Sequence, residues 1–127
     1  GAPLLAASGL PAEPRGFLWI EDTLHSVADP RVFAVGDCGT FTKSPSIAKS
    51  GVYAVREGPI LWHNLLAAAR GRPLATSRPQ PGFLSILNTA DGRALLWYKG
   101  LRSWSRWAWS LKDWIDRGFM RKYQRLQ

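Results

Sequence analysis

The stretch Arg31-Val32-Phe33-Ala34-Val35-Gly36-Asp37-Cys38 decides how the chain is read. Four consecutive apolar residues, 32–35, stand between Pro30 and Gly36 as punctuation and fit a parallel strand buried on both faces. The run ends on Gly-Asp, and a helix-like pattern begins near Ser50. This predicts a carboxylate, Asp37, at the carboxyl end of a buried strand. In open α/β sheets the ligand crevice lies outside those strand ends, so an acid there can accept hydrogen bonds from ligand hydroxyls. An aspartate after glycine can equally cap the next turn.

Upstream, residues 17–20 (Phe-Leu-Trp-Ile) read as a short strand before the Asp22-Thr23 turn, and residues 4–16 as a connecting loop with one helical turn at 4–7. Downstream, residues 41–46 are expected to be loop. Residues 50–70 turn helical, with Val52, Val55, Ile60, Leu61, Leu65 and Leu66 on one side and Gly71 as the stop. Pro59 removes a backbone donor, so the helix is expected to kink or split there. Residues 72–81 form a proline-rich extended connector. Runs 83–88 and 93–99 flank Thr89-Ala90-Asp91-Gly92, a hairpin signal. Residues 103–127 read as a last helix, with Trp104, Trp107, Leu111, Trp114, Ile115 and Gly118 on one face and Trp109 and Met120 on the polar side. The fold class is α/β to α+β: a nucleotide-domain piece over 1–70, then a small α+β cap over 71–127 made of a β-hairpin and a terminal amphipathic helix.

A chain of 127 residues suffices for one modest domain. No Gly-x-Gly-x-x-Gly occurs, so the turn that cradles a dinucleotide pyrophosphate is missing. The net charge of +8 and a pI near 10.4 invite a polyanionic partner: nucleic acid, an acidic membrane surface or phosphate groups. A single cysteine, Cys38, excludes an internal disulfide and a Cys-x-x-Cys redox pair, and suits a reducing cytoplasm. Its commonest role would be that of a small buried residue. No apolar run in these residues approaches the ~20 residues of a spanning helix, and none of them reads as a signal peptide. His25 and His63 lack companions at metal-ligand spacing.

The octet, its lead-in Asp22-Thr23-Leu24-His25-Ser26 and the following Lys49-Ser50-Gly51-Val52-Tyr53-Ala54-Val55-Arg56-Glu57-Gly58 together resemble the second flavin-binding motif of the two-dinucleotide-domain flavoprotein reductases. The likeness is to the NADH dehydrogenase-like, pyridine nucleotide-disulfide oxidoreductase group, including the oxidoreductase module fused to selenide, water dikinase, and it runs from Gly1-Ala2-Pro3 to about Tyr123. Gly1-Ala2-Pro3 is similar to the tail of the segment that closes the NAD domain in that group, and no methionine opens the chain. The expectation is a C-terminal fragment of an FAD-dependent oxidoreductase that takes hydride from NAD(P)H and passes electrons to a quinone or another small acceptor, inactive without the missing FAD and NAD domains.

The resemblance implies that Asp37 accepts a hydrogen bond from a ribityl hydroxyl of FAD, with Gly36 allowing close backbone approach. It also places the start of the following helix, with Gly51, Val52 and Tyr53 as amide donors, at the flavin edge where negative charge collects on reduction. Lys49 stands either near the flavin and quinone side or in solvent. Three readings of the tryptophan-rich last helix stay open. Its stripe packs on the hairpin as core; it docks peripherally on the inner face of a membrane; or its aromatics stack on single-stranded nucleic acid. The rival class is a non-enzymatic basic interaction module, and the fused module suggests a role linked to selenium metabolism.

Overall fold

The computed structural model describes residues 3–80 and 82–124. The parts of the sequence reading that fall on residues 1, 2, 81 and 125–127 lie outside them. Helices and short strands are mixed, an α+β arrangement, and the chain divides into two compact units, Gly1–Pro81 and Gly82–Gln127.

In the first unit, helix α1 (Pro3–Ala7) precedes strand β1 (Leu18–Ile20), strand β2 (Gly39–Phe41) and the long helix α2 (Gly51–Ala69). β1 and β2 run parallel, with Leu18 opposite Gly39 and Ile20 opposite Phe41. All three residues of β2 are buried. A Cβ on Gly39 would sit 2.6 Å from Ile20 Cδ1 and 3.1 Å from the Ala34 carbonyl, so only glycine lets the strands come this close. The core gathers Leu18, Ile20, Leu24, Ala34 and Phe41, with Val32, Phe33, Val35, Ile60 and Leu61 packed against them.

The expected strand at 32–35 is corrected. The segment makes a single bridge, Phe33 to His25, and the strand that pairs with β1 lies just beyond it at Gly39–Phe41, overlapping the expected loop only at Phe41. Its partner explains why. Residues 24–26 meet it through Ser26 N–H to the Val32 carbonyl (2.7 Å) and Ala34 N–H to the Leu24 carbonyl (3.0 Å). Leu24 itself has φ +71, which breaks a regular ladder. Only Ala34 of the run is fully buried.

Helix α2 is capped by Ser50, whose side chain accepts from Val52 N–H, and it runs through Pro59 without splitting. Gly71, with φ +62, follows its end. The buried side of α2 is not the expected one. Tyr53, Glu57, Asn64 and Ala67 are buried, whereas Val52, Val55, Leu65 and Leu66 are exposed. The buried face is semi-polar because it ties down backbone as well as side chains. The Asn64 amide donates to the Thr23 and Ala75 carbonyls, and its oxygen accepts from Ala75 N–H, each at 2.8 Å. Ser77 N–H reaches the Asp22 carbonyl and the Tyr53 hydroxyl donates to the Gln80 carbonyl at 2.9 Å. These bonds attach the connector to the first unit, so the division falls after Pro81 rather than after Arg70.

In the second unit, strands β3 (Ser85–Asn88), β4 (Ala94–Tyr98) and β5 (Leu101–Ser105) form an antiparallel sheet, followed by helix α3 (Arg106–Gln124). The Asp91-Gly92 turn joins β3 to β4 as expected. A second turn, Lys99-Gly100 with φ +46 and +86, joins β4 to β5 in the mirror-image geometry that suits strand twist. The last helix therefore starts at Arg106, and Trp104 belongs to a strand. The reading of a tryptophan stripe as core is overturned. The core is Ala94, Leu96 and Ala108 with Leu84, Ile86 and Leu111 against them, while Trp104, Trp107 and Trp114 are 57%, 54% and 73% exposed.

Asn64 is 0% exposed and satisfies three part-buried backbone groups. Asn64→Ala is expected to destabilise the first unit by about 3 kcal/mol, because unmatched buried amides and carbonyls cost about 1–3 kcal/mol each. Urea denaturation reads this directly; a loss below about 1 kcal/mol would contradict the tie.

Candidate functional site

The fold brings the Gly36-Asp37 turn and the start of α2 together. Gly36, Asp37 and Cys38 form one turn of 3-10 helix leading into β2, against the first turns of α2. Gly36 has φ +58, and a Cβ there would lie 2.8 Å from the Ala54 Cβ, so this turn is restricted to glycine. Asp37 is the middle residue of the turn, with its side chain exposed, rather than the last residue of a strand. Cys38 is exposed too, which corrects its reading as a small buried residue.

Lys49 is half-buried and engaged rather than solvated. Its ammonium donates to the Gly39 carbonyl and, at 3.1 Å, to the Thr40 hydroxyl, and it lies 4.8 Å from the centre of the Phe17 ring. Burial holds its pKa below the ordinary lysine value, opposed by the negative charges of Glu57, Asp37 and Glu13.

At the start of α2, Gly51 and Val52 are exposed and Tyr53 is buried. The expected amide donors are partly engaged already: Val52 N–H meets the Ser50 hydroxyl at 3.3 Å and Tyr53 N–H meets the Ser50 carbonyl at 3.0 Å. Gly51 heads the helix with nothing within 4 Å of where its Cβ would be. Residue types and dipole direction favour negative charge here, at the strength of an ordinary capped helix end.

Glu57 was not among the expected site residues. It is 5% exposed, and its Oε2 accepts from the Gly36 N–H at 2.6 Å. Burial pushes its carboxyl above the usual range, while the Gly36 amide and the Lys49 ammonium pull it back. The available signal was the sole acid of the helical run, set one turn from Tyr53 on the face that α2 buries. Gly36, Gly39, Thr40, Lys49, Ser50 and Glu57 line a cavity of about 20 Å³. That is room for about one water, so a larger ligand would lie across the turn rather than inside it.

His25 contacts the Ser26 carbonyl through Nδ1 at 3.2 Å and stands edge-on to Phe33, and His63 is exposed. Among the described residues no group of His, Cys, Asp and Glu could hold a metal ion, and no helix is long and apolar enough to cross a membrane.

No protein-family model matches the chain, and no curated protein matches it.

Gly36→Ala is expected to cost about 2–4 kcal/mol through left-handed strain and the Ala54 clash, whereas Gly51→Ala should be neutral or slightly stabilising. Thermal or urea unfolding of the pair checks this; equal effects at both positions would contradict it. Glu57 adds a pH dependence. Its folded pKa lies above the unfolded value of 4.5, so its contribution is fully present below that pH and is lost as pH rises through the folded value. Glu57→Gln should therefore gain stability relative to wild type as pH rises above 4.5. Parallel stability profiles over that range would contradict the assignment.

Proposed function

We propose that this chain is the C-terminal part of an FAD-dependent NAD(P)H oxidoreductase of the NADH dehydrogenase-like, pyridine nucleotide-disulfide oxidoreductase group, passing electrons to a quinone or another small acceptor. One observation carries the reading: the exposed Asp37 carboxylate stands on a glycine-restricted turn beside the start of a long helix. The donor set fits the ribityl and ring-edge parts of such a cofactor. Asp37 would accept a hydrogen bond from a ribityl hydroxyl, Gly36 lets the turn pack against Ala54 of α2, and the head of α2 at Gly51 to Tyr53 favours negative charge on the ring edge. Lys49 acts from below, fixing the segment before α2 to β2 and adding positive charge. FAD supplies the hydride acceptance and onward electron transfer. With no Gly-x-Gly-x-x-Gly in the chain, pyrophosphate and nicotinamide contacts fall to other segments of the protein, and the 127 residues alone should not turn over.

The test is flavin retention in the full-length reductase. Asp37→Ala should weaken FAD binding by roughly 10–150-fold, the equivalent of a charge-assisted hydrogen bond of about 1.5–3 kcal/mol. Equal occupancy and equal dissociation constants would remove the reading.

We further propose a peripheral location, on the inner face of an anionic membrane, for which the second unit supplies the observation. The sheet face away from α3 carries Leu87, Leu95, Trp97 and Trp104, which are 63%, 45%, 57% and 57% exposed. Arg93 lies 4.6 Å from the Trp104 ring centre and Arg102 5.7 Å from that of Trp97. Leucines favour acyl chains over bases, and guanidinium groups already cover these rings, which disfavours base stacking. On α3 the acids Asp113 and Asp116 are paired with Arg117 and Lys112. Each further cation near such a surface contributes on the order of 1 kcal/mol, over a Debye length of about 8 Å. Cosedimentation should show salt-sensitive binding to anionic vesicles that falls in a Trp97→Ala, Trp104→Ala variant. Absence of binding at low salt, or tighter binding to single-stranded nucleic acid, would overturn it.

A further inference from the structure

We propose that Glu57 is the positioning residue of the Asp37 site: its carboxylate clamps the Gly36 amide and thereby fixes where Asp37 points. The proposal deepens the flavin-site reading and rests on it for the identity of the ligand.

A glycine at positive φ is the most mobile kind of backbone, so a turn built on it aims nothing unless its surroundings hold it. Here α2 holds it twice. The Ala54 methyl fills the space where a side chain on Gly36 would go, and Glu57, one turn later on the same face, takes the Gly36 N–H at 2.6 Å. That separation belongs to the short end of hydrogen bonds to ionised acceptors. The far end of the turn is held from the same region. Lys49, just before α2, donates to the Gly39 carbonyl and the Thr40 hydroxyl. Asp37 thus lies between two anchored points, with its own side chain in solvent.

Glu57 does not do this as a catalytic group. It is 5% exposed, and the cavity above it, about 20 Å³, admits a water but no ring or ribityl chain. Its route to a ligand is through Gly36. Burying a carboxylate in a helix face is costly unless hydrogen bonds and charge compensate it, and both compensating groups, Gly36 N–H and Lys49, belong to this clamp.

The test has two arms. In the 127-residue chain, amide exchange and chemical shift of Gly36 are followed by NMR in wild type, Glu57→Gln, Glu57→Leu and Glu57→Asp. Gln keeps an acceptor at the same reach, so Gly36 should stay protected; Leu and the shorter Asp should lose the protection. Asp carries the arm alone if Leu does not fold. Equal protection in all four overturns the clamp. In the full-length reductase, Glu57→Leu or Glu57→Asp should weaken FAD retention about tenfold and Glu57→Gln less than about threefold. In an Asp37→Ala background the Glu57 changes should add nothing, since they act through the lost carboxylate. Additive losses overturn positioning and assign Glu57 a general packing role. If Asp37→Ala alone leaves flavin binding intact, the flavin reading has failed, and the clamp stands or falls on the Gly36 amide.

Discussion

The hydrogen bond from the Gly36 amide to the buried carboxylate of Glu57 spans 21 residues and ties the glycine turn to the inner face of α2. One partner is a glycine in a left-handed turn, the other an acid on the inner face of α2. Remove the acceptor and the Gly36 amide loses the carboxylate that holds it. Remove glycine and a methyl collides with Ala54. The turn, the head of the helix and β2 are therefore fixed together. The exposed Asp37 inherits a definite direction from contacts it does not make itself.

The remainder of the first unit follows a similar logic. Its two strands are only three residues each, too short to hold a sheet by their own ladder, and side chains from α2 supply the missing backbone partners. Asn64 serves Thr23 and Ala75, and Tyr53 reaches Gln80. A helix that spends its inner face on such ties leaves part of its apolar surface outside, which is why Val52, Val55, Trp62 and Leu65 are exposed. In the second unit the sheet buries one face under α3 and leaves the other open, with arginines lying over its tryptophans. Patches of this kind mark contact surfaces on small domains.

Capping and turn chemistry carried well from sequence to structure. Ser50 and Gly71 bracket α2, and Asp91-Gly92 makes the hairpin, because each of these residues acts within a few positions of itself. Burial carried poorly. The apolar run 32–35 reads as an interior strand, yet a strand needs a ladder, and Leu24 at positive φ breaks the one available. Trp104 fits the helical wheel of the residues after it, but the Lys99-Gly100 turn extends the sheet through Ser105 first. The glycine turn at Gly36 and Asp37 was legible because its residues are contiguous. Glu57 could not be assigned its partner, since nothing local says which distant amide a buried acid will meet.

The most direct test of the proposed flavin site is the flavin content of the protein purified from its native source. Purified under mild conditions and then denatured, it should release FAD in stoichiometric amount, identified by absorbance and chromatography. A protein that is colourless as purified, and that takes up no FAD when incubated with an excess of it, would contradict the account.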